Sequence, residues 1–178
     1  MWLDTLKECF YTPMQRLEFS YFTTSMHLSH EEAAEHPFSP AGEGMPWGRE
    51  WEYGWFRAKL VLGSWAEGKR VVMDLNLGGE ATLFVNGECF GTRRDDWILE
   101  RHHFLCDNTV TKDGTEGDEY EILAECYGGH QRPPQRGECA SGPLPGGIRW
   151  KREDKKAMRI LGTSTAGVWN EEAYHLWL

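Results

Sequence analysis

Four aromatic residues, Trp47, Trp51, Tyr53 and Trp55, lie within nine positions of one another and could bind a sugar. Sugar rings stack on aromatic faces because their C–H edges meet the π cloud, while polar neighbours hold the hydroxyl groups. Trp51, Tyr53 and Trp55 alternate with other residues, which predicts that they share one face of a strand. The alternative is packing against a sheet or a partner domain, the more frequent use of aromatic side chains. Trp47, Trp51 and Trp55 are therefore candidates for substrate binding or domain docking.

A second candidate is a charged segment that ends in an aromatic residue. It consists of Arg93, Arg94, Asp95, Asp96 and Trp97. Loops often carry function, and this mixture of polar and aromatic side chains is typical of a binding or docking loop. A plain solvated loop is the alternative.

Histidines and carboxylates offer less chemistry. His102 and His103 are adjacent, so on a strand they point to opposite faces and cannot easily share one metal ion. They remain binding or docking candidates. Three carboxylates in the segment 119–125 share one strand face and are expected to be solvated. No segment forces two carboxyl groups into the cleft that glycosidase chemistry needs, and no nucleophile motif occurs. The sequence therefore predicts neither a catalytic residue nor a metal site.

Composition limits the function classes further. The 178 residues carry 28 acidic and 19 basic side chains, a net charge of −9, which argues against binding to nucleic acid or to an anionic membrane surface. No apolar run is long enough for a transmembrane helix, and the first residues do not resemble a secretory signal. The five cysteines are odd in number and widely spaced, which favours reduced, mostly buried thiols in a cytoplasmic protein.

Alternating apolar and polar residues predict short strands in the middle of the chain. The clearest are 54–62, 69–77 and 119–126, and Asn86-Gly87 predicts a tight hairpin turn because both residues accept positive φ. About seven such strands with little helix indicate an all-β fold, an antiparallel β-sandwich. A closed barrel is the competing architecture.

Helices are expected only at the periphery. A capping box at Ser29 predicts a short helix over 29–35, and residues 1–12 form a short helix or an irregular segment. Asn170 is a good N-cap for a helix. That helix reaches Leu178 without a C-cap glycine and without polar residues that would end it. We therefore expect an N-terminal β-sandwich domain over 1–167, followed by 168–178 as the start of a helix that leads into a catalytic domain absent from this chain.

Several of these segments resemble one known family. The resemblance is carried by the following segments: Gly54–Leu60, Trp65–Val72, Gly79–Ala81, Phe84–Gly87, Tyr120–Leu123, Tyr127–His130 and Val168–Tyr174. They resemble the N-terminal region of family 38 glycoside hydrolases, the α-mannosidases. The resemblance implies an antiparallel jelly-roll β-sandwich of the galactose-binding-like type, with short peripheral helices, ahead of an α/β catalytic domain. It also implies that the catalytic carboxylates and the zinc ligands lie in that other domain, so no cofactor is expected in this chain.

Three hypotheses of function follow. The first is a non-catalytic domain of a cytoplasmic, homo-oligomeric α-mannosidase, which packs on the catalytic domain of the same chain and shapes its substrate cleft. The second is an independent carbohydrate-binding module that binds a mannose-containing oligosaccharide through Trp47, Trp51, Trp55 or Trp97. The third is a small hydrolase that uses His102 or His103 with a nearby carboxylate.

Overall fold

The computed structural model describes residues 2–49, 51–93, 108–128 and 159–178. Within them, twelve strands form two large sheets and one small one. The strands are β1 (Tyr11–Arg16), β2 (Phe19–Thr24), β3 (Ser39–Ala41), β4 (Pro46–Trp47), β5 (Tyr53–Val61), β6 (Val71–Asp74), β7 (Ala81–Val85), β8 (Glu88–Arg93), β9 (Thr109–Thr111), β10 (Glu119–Tyr127), β11 (Arg159–Ile160) and β12 (Thr165–Trp169). The helices are α1 (Trp2–Glu8), α2 (His30–Ala34), α3 (Glu171–Trp177) and a 3₁₀ turn at Ser64–Ala66.

The larger sheet has six antiparallel strands in the order β3-β2-β5-β10-β7-β8. Its centre is the nine-residue pair of β5 and β10, in which Tyr53 lies opposite Tyr127 and Val61 opposite Glu119. Side chains alternate between faces along each strand. Phe56 and Ile122 therefore point into the sandwich, whereas Tyr53 and Glu125 lie on the outer face.

The second sheet has four antiparallel strands in the order β1-β12-β6-β9. Its inward residues pack against those of the larger sheet in one continuous core, which includes Met73, Ala166, Leu60 and Leu83. Two facing sheets with a shared core confirm the sandwich and exclude the barrel as the closure of the described strands. The remaining pair, β4 with β11, joins Pro46–Trp47 to Arg159–Ile160.

Helices cover the outer face of each large sheet. The helix α2 begins at Ser29, whose hydroxyl accepts a hydrogen bond from the Glu32 amide while the Glu32 carboxylate accepts one from the Ser29 amide. The predicted capping box is therefore present. The helix α3 begins at Asn170, as predicted, and its Ala173 amide donates to the Asn170 side chain at 3.0 Å. It packs with α1 on the four-stranded sheet around Phe10 and Trp169.

The hairpin at Asn86-Gly87 is also confirmed, with φ of 50° and 80° at the two residues between β7 and β8. Several strands were not predicted, among them β1 and β12, together with β3 and β4 in a segment expected to be a loop. The strand β1 has no alternation, contains Pro13, and carries an irregularity between Pro13 and Gln15. Proline is tolerated there because β1 is an edge strand. The strand β12 is buried on both faces and includes Gly167, which lies so close to Thr12 that a side chain would meet the Thr12 carbonyl oxygen.

Candidate functional site

Trp47 does not present its ring at the surface, so the alternative interpretation, packing, applies to it. Only 3% of the residue is exposed, and its ring lies edge-on to Phe56 with the centroids 5.0 Å apart. Its indole nitrogen donates to the carbonyl oxygen of Leu77 at 2.8 Å. Trp47 is therefore part of the core.

Trp55 is fully buried on the outer face of β5, beneath α2. It packs with Ala33 and Leu123, and its ring stacks against Phe84 at 6.2 Å. The prediction that Trp55 shares a strand face with Tyr53 is correct, but the helix covers that part of the face. The alternative interpretation, packing of the aromatic ring, therefore applies to Trp55.

Trp51 lies before β5 rather than on it. Its backbone has φ of 64°, a left-handed conformation that breaks the extended chain, so the predicted alternation does not include it. The residue is half-buried, and its ring centroid lies 6.4 Å from that of Tyr127.

The other predicted residues mostly lie outside the described part of the chain. Arg93 ends β8, where it pairs with Ala81. The structure does not describe the segment 94–107, which contains the candidates Arg94, Asp95, Asp96, Trp97, His102 and His103. Their roles in binding or docking stay predictions.

Of the five cysteines, three belong to the described residues. Cys126 is buried, but Cys9 and Cys89 are exposed. The expectation of mostly buried thiols is therefore wrong for two of these three.

The structure brings together a site that was not predicted. The helix α2 crosses the middle of the six-stranded sheet and leaves a hollow on each side of it. We call one of them the tyrosine hollow. It has a volume of about 370 Å³ and is lined by Tyr53, Glu80, Ala81, Thr82, Thr92, Glu125 and Tyr127.

The register of four strands positions these side chains. Tyr53 of β5 lies opposite Tyr127 of β10, and Glu125 of β10 lies opposite Thr82 of β7. Thr82 in turn pairs with Thr92 of β8. All five residues follow from the alternation of strands whose inner residues are fixed in the core, so the tyrosine hollow is built on a rigid scaffold.

An aromatic row runs along the tyrosine hollow, formed by His27, Tyr53, Tyr127 and Trp51. The Tyr53 hydroxyl is hydrogen-bonded to Nε2 of His27 at 2.6 Å, and the two ring centroids are 4.4 Å apart. The rings of Tyr53 and Tyr127 lie 5.4 Å apart and are tilted by 38°. Because neither tyrosine is fully buried, the row offers ring surface to a ligand.

Glu125 is the unusual acid of the tyrosine hollow. Burial raises the pKa of its carboxyl above the ordinary value of 4.5, and the nearby His27 only partly opposes that shift. Among the described residues, no hydrogen bond or ion pair is formed by the Glu125 side chain. Burial, together with the charge of Glu125, also raises the pKa of Tyr53. Glu125 is therefore a half-buried carboxyl group whose oxygens accept no hydrogen bond from the described residues.

The hollow on the other side of α2 differs in that its lining contains an ion pair. It has a volume of about 660 Å³, and we call it the charged hollow because Arg57, Lys59, Glu119 and Glu121 are among its lining residues. Lys59 and Glu119 form a salt bridge at 2.7 Å. The Arg57 guanidinium lies 4.0 Å from the centre of the Phe38 ring and donates to the carbonyl oxygen of Ala34.

Sequence reasoning missed Glu125 and Tyr127 for a definable reason. The carboxylates of Glu119, Glu121 and Glu125 were expected to lie on a uniformly solvated face, but Leu123 interrupts that series. An apolar residue among outward-facing acids indicates that the face is partly covered. This signal was present in the sequence, and it locates the boundary between exposed Glu121 and half-buried Glu125.

Metal binding and membrane spanning find no support in the described residues. No three His, Cys, Asp or Glu side chains converge there in a way that could hold a metal ion. None of the helices in the same part of the chain combines the length and the apolar character that a bilayer crossing requires.

Comparison with known proteins gives a family and a fold. The family model described as the α-mannosidase jelly roll domain, of the Ams1-like type, matches residues 13–126. No curated protein matches the sequence. Among solved structures, a β-glucuronidase from Faecalibacterium prausnitzii is similar with a TM-score of 0.56 and 13% identity, over 90% of this chain and 32% of that one.

A second similar structure is a β-glucuronidase from Ruminococcus gnavus in complex with uronic deoxynojirimycin. It has a TM-score of 0.52 and 11% identity, over 91% of this chain and 29% of that one. At such identities the likeness concerns the fold alone. The chain thus spans about a third of the length of these enzymes.

Proposed function

Because this chain belongs to the Ams1-like family of α-mannosidase jelly-roll domains, we propose that it is a non-catalytic domain of an α-mannosidase. In this proposal it packs on the catalytic domain and forms one wall of its substrate cleft. The observation that carries the proposal is the family match over residues 13–126, which runs from β1 to β10. It takes in strands of both large sheets, all six of the larger sheet and β1, β6 and β9 of the smaller one.

The solved structures support the view of a glycoside-hydrolase-associated domain. In both glucuronidases the matching region is a minor share of a longer chain. The sandwich fold therefore occurs there as one part of a larger glycosidase. By analogy, the hydrolysis of α-mannosides would require residues that this chain does not supply.

The helix pair α1 and α3 supplies the surface that we propose for docking. Phe10 packs beneath these helices, but three large apolar residues on or next to them are exposed: Trp2 of α1 at 67%, Leu176 of α3 at 70% and the adjoining Leu178 at 75%. Large exposed apolar side chains grouped on one layer mark contact surfaces. A catalytic domain resting on α1 and α3 would cover them.

Zinc belongs to the proposed catalytic domain. Structural and catalytic zinc sites need three or four converging protein ligands. The described residues do not fit such a site, because no suitable cluster of His, Cys, Asp or Glu occurs among them. We therefore propose that zinc is held by the catalytic domain and assign no metal-ligand role to the described residues.

Activity measurements test the non-catalytic role. The purified chain is incubated with an aryl α-mannoside, with and without added zinc, beside an intact α-mannosidase as a positive control. We expect no turnover by the chain under either condition. Steady hydrolysis that scales with the concentration of the chain would overturn the proposal.

Docking is tested by co-expression with the catalytic domain of the α-mannosidase that contains this sequence. We expect the two to co-purify as a one-to-one complex and expect Leu176→Asp to abolish it. Met26→Asp is the matched control, because Met26 is also apolar and 59% exposed but precedes α2 on the opposite side of the sandwich. Loss of the complex in both variants, or in neither, would count against docking through α3.

A further inference from the structure

We propose that the tyrosine hollow binds one neutral hexopyranose unit, which stacks on the aromatic row and donates hydroxyl hydrogen bonds to Glu125. This rests on the proposed function only for the class of ligand, a saccharide, and it adds a binding site to a domain for which docking alone was argued.

The shape of the tyrosine hollow suits one small ligand. Its volume of about 370 Å³ is near the lower end of the roughly 300–1,000 Å³ that small-molecule sites occupy. Its lining also combines apolar ring surface with a few polar groups that can fix orientation, which is the usual composition of such sites.

The rings of Tyr53 and Tyr127 supply the apolar contact. They lie side by side with a tilt of 38°, so they do not cover each other face to face. The hydrogen bond from Tyr53 to His27 holds the first ring in place. A pyranose whose axial C–H groups face these rings would bury apolar surface without requiring a side chain to move.

Glu125 supplies the polar contact. The carboxyl group is half-buried and has no hydrogen-bonding partner among the described residues, so its oxygens can accept from a ligand. Sugar hydroxyls are donors that can supply these hydrogen bonds. Thr82 and Thr92 line the same hollow, and their hydroxyls can both donate and accept.

The charges of the site define which sugar it can take. Glu80 and Glu125 line the tyrosine hollow, and the whole chain carries a net charge of −9. A uronic acid would bring a third carboxylate into this field and be repelled. A cation would be attracted by the acids and by the tyrosine faces, so it is the competing ligand in the test. A neutral hexose avoids the repulsion, and its hydroxyl and C–H groups match the carboxylate and the tyrosine rings of the lining.

The test is a titration of the ¹⁵N-labelled chain with methyl α-D-mannopyranoside, followed by amide chemical shifts. We expect saturable shifts at Tyr53, Glu125 and Tyr127, and none from methyl β-D-glucuronide. Glu125→Ala and Tyr127→Leu should each weaken binding by about tenfold or more, since each removes a main contact. Glu121→Ala is the matched control, because Glu121 lies on the same face of β10 but in the charged hollow.

Three outcomes would overturn the proposal. They are a flat response of the wild-type chain, equal affinity in all three variants, and saturation by the cation agmatine without saturation by the mannoside. The shift map of the wild-type chain decides the question even where a variant fails to fold. The aryl-mannoside assay does not depend on this site, so the failure of one proposal is distinguishable from the failure of the other.

Discussion

The two outer faces of the sandwich are both covered by helices, but the covers differ in kind. On the four-stranded sheet, α1 and α3 seal the face with a cluster of rings, in which Phe10 contacts Trp169, Tyr174 and Trp177 at centroid distances of 5.4–5.8 Å. On the six-stranded sheet, the five-residue α2 covers only the middle and leaves a hollow on either side.

The two sheet faces therefore suit two different kinds of contact. The sealed face is filled by a cluster of aromatic rings, and the apolar side chains of Trp2 and Leu176 on its two helices stay exposed, which suits a lasting contact with another domain. The partly covered face exposes aromatic and polar groups on rigid strands, which suits a reversible ligand. The predictions below test whether the two covers really differ in this way.

The largest effect is expected from the sealed face. Phe10→Ala should lower the free energy of unfolding by about 3–5 kcal/mol, because Phe10 is fully buried at the centre of the ring cluster. Phe38→Ala on the α2 side is the comparison, and its loss should be smaller because Phe38 is only partly buried. Urea denaturation measures both, and equal losses would mean that the two covers are energetically alike.

A second prediction concerns how closely β12 approaches β1 beneath the sealed face. Gly167→Ala should destabilise the protein by about 1–3 kcal/mol, because the added methyl group would meet the carbonyl oxygen of Thr12 and force the strands apart. Gly42→Ala is the control, since a methyl group there meets nothing within 4 Å. A thermal melting temperature unchanged by Gly167→Ala would contradict the observed strand contact.

Much of this architecture could be read from local sequence signals. The Asn86-Gly87 turn, the Ser29 capping box and the Asn170 N-cap each depend on a few neighbouring residues, and each is present. The strands β1 and β12 could not be found in this way, because Pro13 disrupts one pattern and burial on both faces removes alternation from the other.

The candidate site was less predictable for a related reason. Alternation places Tyr53, Trp55 and Arg57 on one face, but it does not say which part of that face a helix covers. Trp55 is buried and Tyr53 is not fully buried, because Ala33 of α2 packs on Trp55. Such a distinction depends on contacts between distant segments, which a single sequence does not display.

A smaller effect is expected at the N-cap of α2. Ser29→Ala should cost about 1 kcal/mol, because it removes the hydroxyl that accepts from the Glu32 amide. Since α2 separates the two hollows, hydrogen exchange should rise in residues 30–34 while β12 keeps its protection. If hydrogen exchange rose equally in β12, the helices that cover the two sheets would not be independent of each other.

The smallest effect is a dependence of stability on pH. Because burial raises the pKa of Glu125 in the folded protein, its charged form is disfavoured there. This penalty is absent below the ordinary pKa of 4.5 and develops as the pH rises through the raised value. Glu125→Gln should therefore melt slightly higher than the wild-type chain near neutral pH, and the difference should vanish below pH 4.5. A difference in melting temperature that grows as the pH falls would contradict this prediction.

The most direct test of the proposed role is the kinetics of the separately produced catalytic domain of the same α-mannosidase, with and without this chain. If the sandwich forms one wall of the cleft, adding the chain should raise kcat/KM for an α-mannoside in a saturable manner, and the Leu176→Asp variant should not. Unchanged kinetics over the full titration, with the catalytic domain fully active alone, would contradict the account.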